Sequence, residues 1–123
     1  MSILALEQEL QQMMGQGQML EAFDKFYADN VVMVEATGEV REGKAYNREF
    51  EVKWLESLEE AHGGGINAMA ANEDTGHTCT ESWGDFTFKG GHRMKMEEVS
   101  VKKWENGQIV HERFYYNAAG MEG

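Results

Sequence analysis

Apolar side chains recur at helical spacing through the first part of the chain. Ile3, Leu6, Leu10, Met13 and Met14 step by three or four behind Ser2, a residue suited to N-capping, and this predicts an amphipathic helix over 3–14 that Gly15 and Gly17 end. The stripe Met19, Leu20, Phe23, Phe26 and Tyr27 predicts a second, short helix. After Ala28-Asp29-Asn30 the period changes to the β-branched run of 31–34, a strand, and turn residues at 37–39 and 42–43 bracket a brief return strand at Val40. Tyr46, Phe50, Trp54, Leu58 and Ala61 then predict a third helix, the longest. Beyond Ala61 the helical period disappears. Gly63-Gly64-Gly65, Asp74-Thr75-Gly76, Gly90-Gly91 and Asn106-Gly107 set off extended stretches near 66–73, 78–89, 93–104 and 109–117, the layout of an antiparallel meander.

Asn106-Gly107 tolerates φ > 0 at both central positions of a type I′ turn, so Glu105 is expected to pair with Gln108. Simple alternation from that pair puts Val99, Val101, Val110, Glu112, Phe114 and Tyr116 on one face of the hairpin. Glu98, Ser100, Lys102, Trp104, Ile109, His111, Arg113 and Tyr115 fall on the other. The first face reads as the lining of a cavity with one carboxylate embedded in it. The second is mixed and too aromatic to be left to solvent, so it is expected to pack against its own copy in a homodimer.

Composition narrows the function classes. The 123 residues suit a single domain over 1–123. A net charge of −11, from 11 basic and 22 acidic residues, leaves little to neutralise phosphates, and the sequence therefore predicts no nucleic-acid partner and no membrane partner. One cysteine, Cys79, cannot close an internal disulfide and reads as a small buried residue. With no basic leader followed by a long apolar stretch, a cytoplasmic location is the expectation. The four histidines lie 15, 15 and 19 residues apart and show no metal-ligand spacing, so neither a metal nor a cofactor is expected.

The ordered set Tyr27-Ala28-Asp29-Asn30-Val31-Val32, Gly43-Lys44-Ala45, Trp54, His62-Gly63-Gly64 and Asn106-Gly107-Gln108-Ile109-Val110 resembles the SnoaL-like branch of the NTF2-like superfamily over nearly the whole chain. The resemblance implies an α+β, cone-shaped fold: two N-terminal helices and a bent, mostly antiparallel sheet wrapped around a long helix. It also implies a pocket for a small hydrophobic molecule, and often a homodimer. Matching Ala28-Asp29-Asn30 without a gap to the ketosteroid isomerases places Glu35 at their general-base carboxylate. Their oxyanion donors are matched here by Gln11 and by Ser100 or Val101, so steroid isomerisation does not carry over. Where SnoaL-type cyclases often end the last strand on an acidic residue, this chain has Tyr116-Asn117.

Glu35 and Glu112 are the leading candidates, because each interrupts an apolar strand and a carboxyl in apolar surroundings is tuned toward proton transfer. Tyr116 and His62 are candidate helpers, His62 standing either at a cavity mouth or as a cap on the third helix. Met33, Trp54, Trp83, Val99, Val101 and Phe114 are expected to line the pocket, although aromatics at such spacing also build ordinary cores. Two functions follow: an acid/base enzyme of isomerase, cyclase or hydrolase type with Glu35 as base, or a non-catalytic binding or dimeric assembly domain.

Overall fold

The computed structural model describes residues 2–117. The first helix, α1 (Ile3–Gly15), starts where the sequence says it should, with the Ser2 hydroxyl accepting from the Ala5 N–H. The Glu73 carboxylate takes the adjoining Ile3 and Leu4 N–H groups, so a side chain from the far hairpin completes the cap. Helix α2 (Met19–Phe26) stops one residue short of Tyr27, which opens strand β1 (Tyr27–Val34). Strand β2 (Val40–Glu42) returns beside it and leads into α3 (Lys44–Ser57).

The third helix is the longest but ends at Ser57, four residues earlier than its apolar spacing predicts. Leu58 and Ala61 continue in β3 (Leu58–Asn72) and pair with Phe88 and Phe86 of β4 (His77–Phe88). His62 is therefore a strand residue and caps no helix. The glycine tract is not a turn either: Gly63 and Gly65 lie inside β3, and a Cβ on Gly65 would come within 2.9 Å of the Trp83 Nε1. Glycine here lets the indole lie flat across the neighbouring strand. Strands β5 (Arg93–Glu105) and β6 (Gln108–Tyr115) complete the set.

The six strands form one sheet in the order β2-β1-β6-β5-β4-β3, antiparallel except where β1 runs parallel to β6. Asn106 (φ 53°) and Gly107 (φ 77°) make the expected turn, and Glu105 faces Gln108. One position further the ladder slips. Trp104 pairs with Ile109 but Lys103 pairs with His111, leaving Val110 as an extra residue in β6. This bulge corrects the predicted faces. Ile109, Glu112 and Phe114 share the inner face with Ser100, Lys102 and Trp104, whereas Val99, Val101, His111, Arg113 and Tyr115 share the outer one.

The core lies on that inner face, under the helices. Leu10, Ala22, Phe23, Phe26, Tyr27, Val31, Met33, Trp104 and Ile109 form its buried cluster, with Phe26 edge-on to Trp104. Trp104 and Ile109, expected at a dimer surface, are thus core residues at 3% and 0% exposure. At the other end of the cone, Trp54 of α3 packs edge-on against Phe86 and Phe88. Cys79, expected to be buried, is exposed on the outer face. Among the described residues no helix is long and apolar enough to cross a membrane.

Candidate functional site

Reading across the sheet, Arg41, Met33, Glu112, Lys102 and Thr78 form one inner-face row. Phe114, Ser100 and Thr80 form the next, and Glu98 follows two residues before Ser100 on the same face of β5. A mixed polar surface is thereby carried inside the cone. Four polar members of these two rows that β4, β5 and β6 contribute (Thr78, Thr80, Lys102 and Glu112) are no more than 3% exposed.

The deepest part is an ion network. From α1, Glu7 points into the sheet, where it accepts from Thr78 (3.0 Å), Thr80 (2.8 Å) and Lys102 (3.0 Å). Lys102 also donates to Ser100 (2.9 Å) and lies 3.6 Å from Glu112. Glu112 accepts from Ser100 (2.5 Å) through one oxygen and from the Tyr27 hydroxyl through the other. Burial, followed by the Glu112 charge, holds the Tyr27 hydroxyl well above the usual phenol range. Burial works against the Lys102 charge, but Glu112 and Glu7 outweigh it and raise this ammonium above its ordinary value.

Glu35, one residue past the end of β1, is held by an ion pair and a hydroxyl, not by the apolar surroundings the sequence suggests. Its Oε1 accepts from Arg41 Nη2 at 2.7 Å and its Oε2 from the Tyr116 hydroxyl at 2.8 Å. Arg41, 1% exposed, is fixed by Asn47 of α3 through its Nε and lies 3.7 Å from the centre of the Phe50 ring. Tyr116, whose hydroxyl is pushed up to about 12 by burial and then by Glu35, closes this cluster.

Two carboxyls that the sequence reading did not single out for chemistry complete the site. Glu51 lies on the inward side of α3, one turn after the buried Asn47, and Glu98 lies on the inner face of β5. Both are partly shielded yet reach solvent, and among the described residues neither has a hydrogen-bond partner. Burial first, and the Glu112 charge second, push Glu51 up to about 8 and Glu98 to about 7. Glu35 adds to both shifts; Arg41 opposes the first and Lys102 the second. Two acids of this kind can exchange protons at neutral pH.

Of the residues singled out from sequence, Glu35, Glu112, Tyr116, Met33 and Phe114 meet on the inner face, and Trp54 lies farther along it. His62, Trp83, Val99 and Val101 do not join them. His62 bridges Glu60 (3.1 Å) and Thr87 (2.7 Å), while Val99 helps line an outer-face hollow of about 200 Å³ with Met69, Cys79 and Glu81. Asn47 and Glu51 were missed because their inward orientation depends on how α3 crosses the sheet, and Arg41 because it sits in the three-residue strand β2, whose facing is set only by its pairing with β1. Lys102 and Glu98 were placed on the outside by the unbulged register. Among the described residues no group of three His, Cys, Asp or Glu side chains is arranged to hold a metal ion.

An α+β cone with an ionisable interior defines the class as NTF2-like, and the comparisons place the chain within it. Residues 2–116 match the SnoaL-like domain family, and the protein belongs to that family. A crystal structure of a SnoaL-like protein from Mesorhizobium loti, provisionally assigned as a polyketide cyclase [carbohydrate phosphatase], superposes with a TM-score of 0.81 at 30% identity, covering 94% of this chain and 100% of that one. A Bacillus subtilis protein provisionally assigned as an isomerase gives 0.76 at 17% identity, covering 92% and 84%. A Catenulispora acidiphila protein of ketosteroid isomerase-like fold, solved with trimethylamine, gives 0.67 at 16% identity, covering 80% and 75%. No curated protein matches the chain.

Proposed function

We propose that this protein is an acid/base enzyme of the isomerase or cyclase type acting on a small, largely apolar molecule, with Glu51 and Glu98 as its proton-transfer pair. What supports this reading is that both carboxyls lie on the inward side of the fold, have no hydrogen-bond partner among the described residues, and are held above the usual carboxylate range by burial and then by the Glu112 charge, Glu51 at about 8 and Glu98 at about 7. The higher of the two, Glu51, suits the role of donor and the lower, Glu98, that of acceptor. Met33 and Phe114 supply apolar wall near them on the inner face, with Trp54 farther along. Glu35 and Tyr116, joined just beyond β1 and β6, are the groups proposed to orient a polar group of the substrate. The cyclase and isomerase assignments of the structural relatives favour the same chemistry by analogy.

The competing reading, a binding domain without turnover, draws on the fact that Glu35 and Glu112 are both saturated by internal donors. A thermal-shift screen of small neutral oxygen-bearing compounds at pH 7, followed by product analysis of the hits, separates the two. An enzyme converts a bound compound, and Glu98→Gln or Glu51→Gln keeps binding but loses turnover by roughly 10²- to 10⁴-fold, the usual share of a general acid or base. Hits that bind and are never converted, or turnover indifferent to both substitutions, would sink the assignment.

A further inference from the structure

The outer face of the sheet carries a hydroxyl, an imidazole and a carboxylate in line. Phe86 and Phe88 turn inward to meet Trp54, so Thr87 between them faces out. Glu60 of β3 is its cross-strand partner, and the ladder slips between Ala61 and Gly63, which makes His62 the extra residue of a bulge. There His62 Nε2 lies 2.7 Å from Thr87 Oγ1, and Nδ1 lies 3.1 Å from Glu60 Oε2. A carboxylate oxygen only accepts, so Nδ1 carries the proton of the neutral ring and Nε2 is left as an acceptor. The Thr87 hydroxyl therefore donates to Nε2. Hydroxyl to base to carboxylate is the hydrogen-bond order that activates an oxygen nucleophile. The His62 side chain keeps 22% of its surface exposed, so a reactant can reach it.

Two neighbours supply what such a group needs. Arg93 is the partner of Thr87 on β5, and its guanidinium is held on Asp85 through Nε (3.1 Å) and Nη2 (3.0 Å), with Nη1 outside that bond pair. Side chains of directly paired residues start about 5 Å apart, so this cation reaches an oxygen of a carbonyl joined to Thr87. On the other side lies the indole of Trp83, close enough to Gly63, the residue after His62, that a Cβ there would meet it at 3.5 Å. It offers a flat apolar seat. From this geometry we propose that Thr87, His62 and Glu60 form a second site, an acyl-transfer centre for small carboxylic esters. Thr87 Oγ1 attacks the carbonyl carbon while its proton passes to His62 Nε2, and the alcohol leaves with that proton. Water, deprotonated by His62, then attacks the acyl-threonine; the acid departs and Thr87 regains its proton. Glu60 is a positioning residue that holds the ring tautomer. The centre shares no residue with the interior carboxyls and does not depend on their role.

The test incubates the full chain with p-nitrophenyl acetate, follows release of p-nitrophenolate, and maps acetyl groups by mass spectrometry after an acid quench. The native chain is expected to release product faster than buffer alone and to carry acetyl on Thr87. Thr87→Val, which keeps the shape and removes the hydroxyl, should fall to the buffer rate, and Thr87→Ser should restore release. His62→Gln should lose on the order of 10²-fold or more, the share of a general base. Glu60→Gln should slow release and Glu60→Asp recover part of it, as a role in orienting the ring requires. Release by the native chain no faster than by Thr87→Val overturns the proposal. So does an acetyl map of the native chain that leaves Thr87 unmodified, with acetyl on His62 or on lysines alone; this result decides the matter even if Thr87→Val does not fold.

Discussion

At the scale of single residues, the interior carboxyls divide into those that substitution exposes to trouble and those it relieves. Glu35→Gln removes the close charge partner of Arg41, whose guanidinium is buried and keeps only the exposed Glu39, 4.0 Å from its Nη1. Breaking a buried pair from one side leaves the other charge poorly compensated, so urea denaturation at pH 7 should show a loss of about 3 kcal/mol. Glu51→Gln and Glu98→Gln should behave oppositely. Their folded values, about 8 and about 7, lie above the unfolded value of 4.5, so the unfolded chain releases these protons first and stability falls as pH rises through that interval. Each glutamine variant should match the native protein near pH 4 and exceed it at pH 8, by on the order of 1 to 3 kcal/mol. A native stability curve that is flat from pH 5 to 8 would contradict this. The sequence singled out Glu35 as a carboxylate interrupting an apolar strand, and the structure places it just past the end of β1. Its counter-ion was not legible, because Arg41 sits in a three-residue strand whose pairing exists only in the assembled sheet.

At the scale of elements, periodicity located every helix and strand but misjudged where one gives way to the next. Leu58 and Ala61 keep the i, i+4 spacing of α3 and still belong to β3, because pairing with Phe88 and Phe86 of β4 offers that segment more than a further helical turn would. The bulge at Val110 was hidden for a related reason: an extra residue leaves no mark on composition, yet it reverses the facing of everything beyond it. The glycines of β3 and β4 were legible only as turn signals, whereas their function is steric. Gly84 is buried, and a Cβ there would stand 2.5 Å from the Phe86 ring that meets Trp54. Gly84→Ala must therefore displace the aromatic contact between α3 and β4, with an expected loss of about 1 to 3 kcal/mol. Chemical denaturation together with Trp fluorescence checks it: an unchanged midpoint and an unchanged emission spectrum would show that Phe86 has room to move.

At the scale of the molecule, the outer face of the sheet is the surface left to account for. Trp83, Val99, Val101 and Tyr115 lie on it, the last at 49% exposure, beside the hollow edged by Met69 and Cys79. The homodimer expected from sequence is proposed to form across this surface, now without Trp104 and Ile109, which are sealed in the core. Each chain carries a net charge of −11, so two copies repel at long range while apolar contacts hold them. Salt screens the repulsion within roughly 10 Å at 0.1 M and leaves the contacts in place, so the dimer should tighten as ionic strength rises. Light scattering at tens of micromolar protein should give twice 14.0 kDa, with the dimer fraction increasing from low to moderate salt. Val101→Glu, which adds one more charge to each facing surface, should yield a folded monomer, whereas Trp104→Glu should unfold the chain because the indole Nε1 is bonded to Thr78 inside the core. A monomer at every salt concentration, or a dimer indifferent to Val101→Glu, would remove this face as the site of assembly.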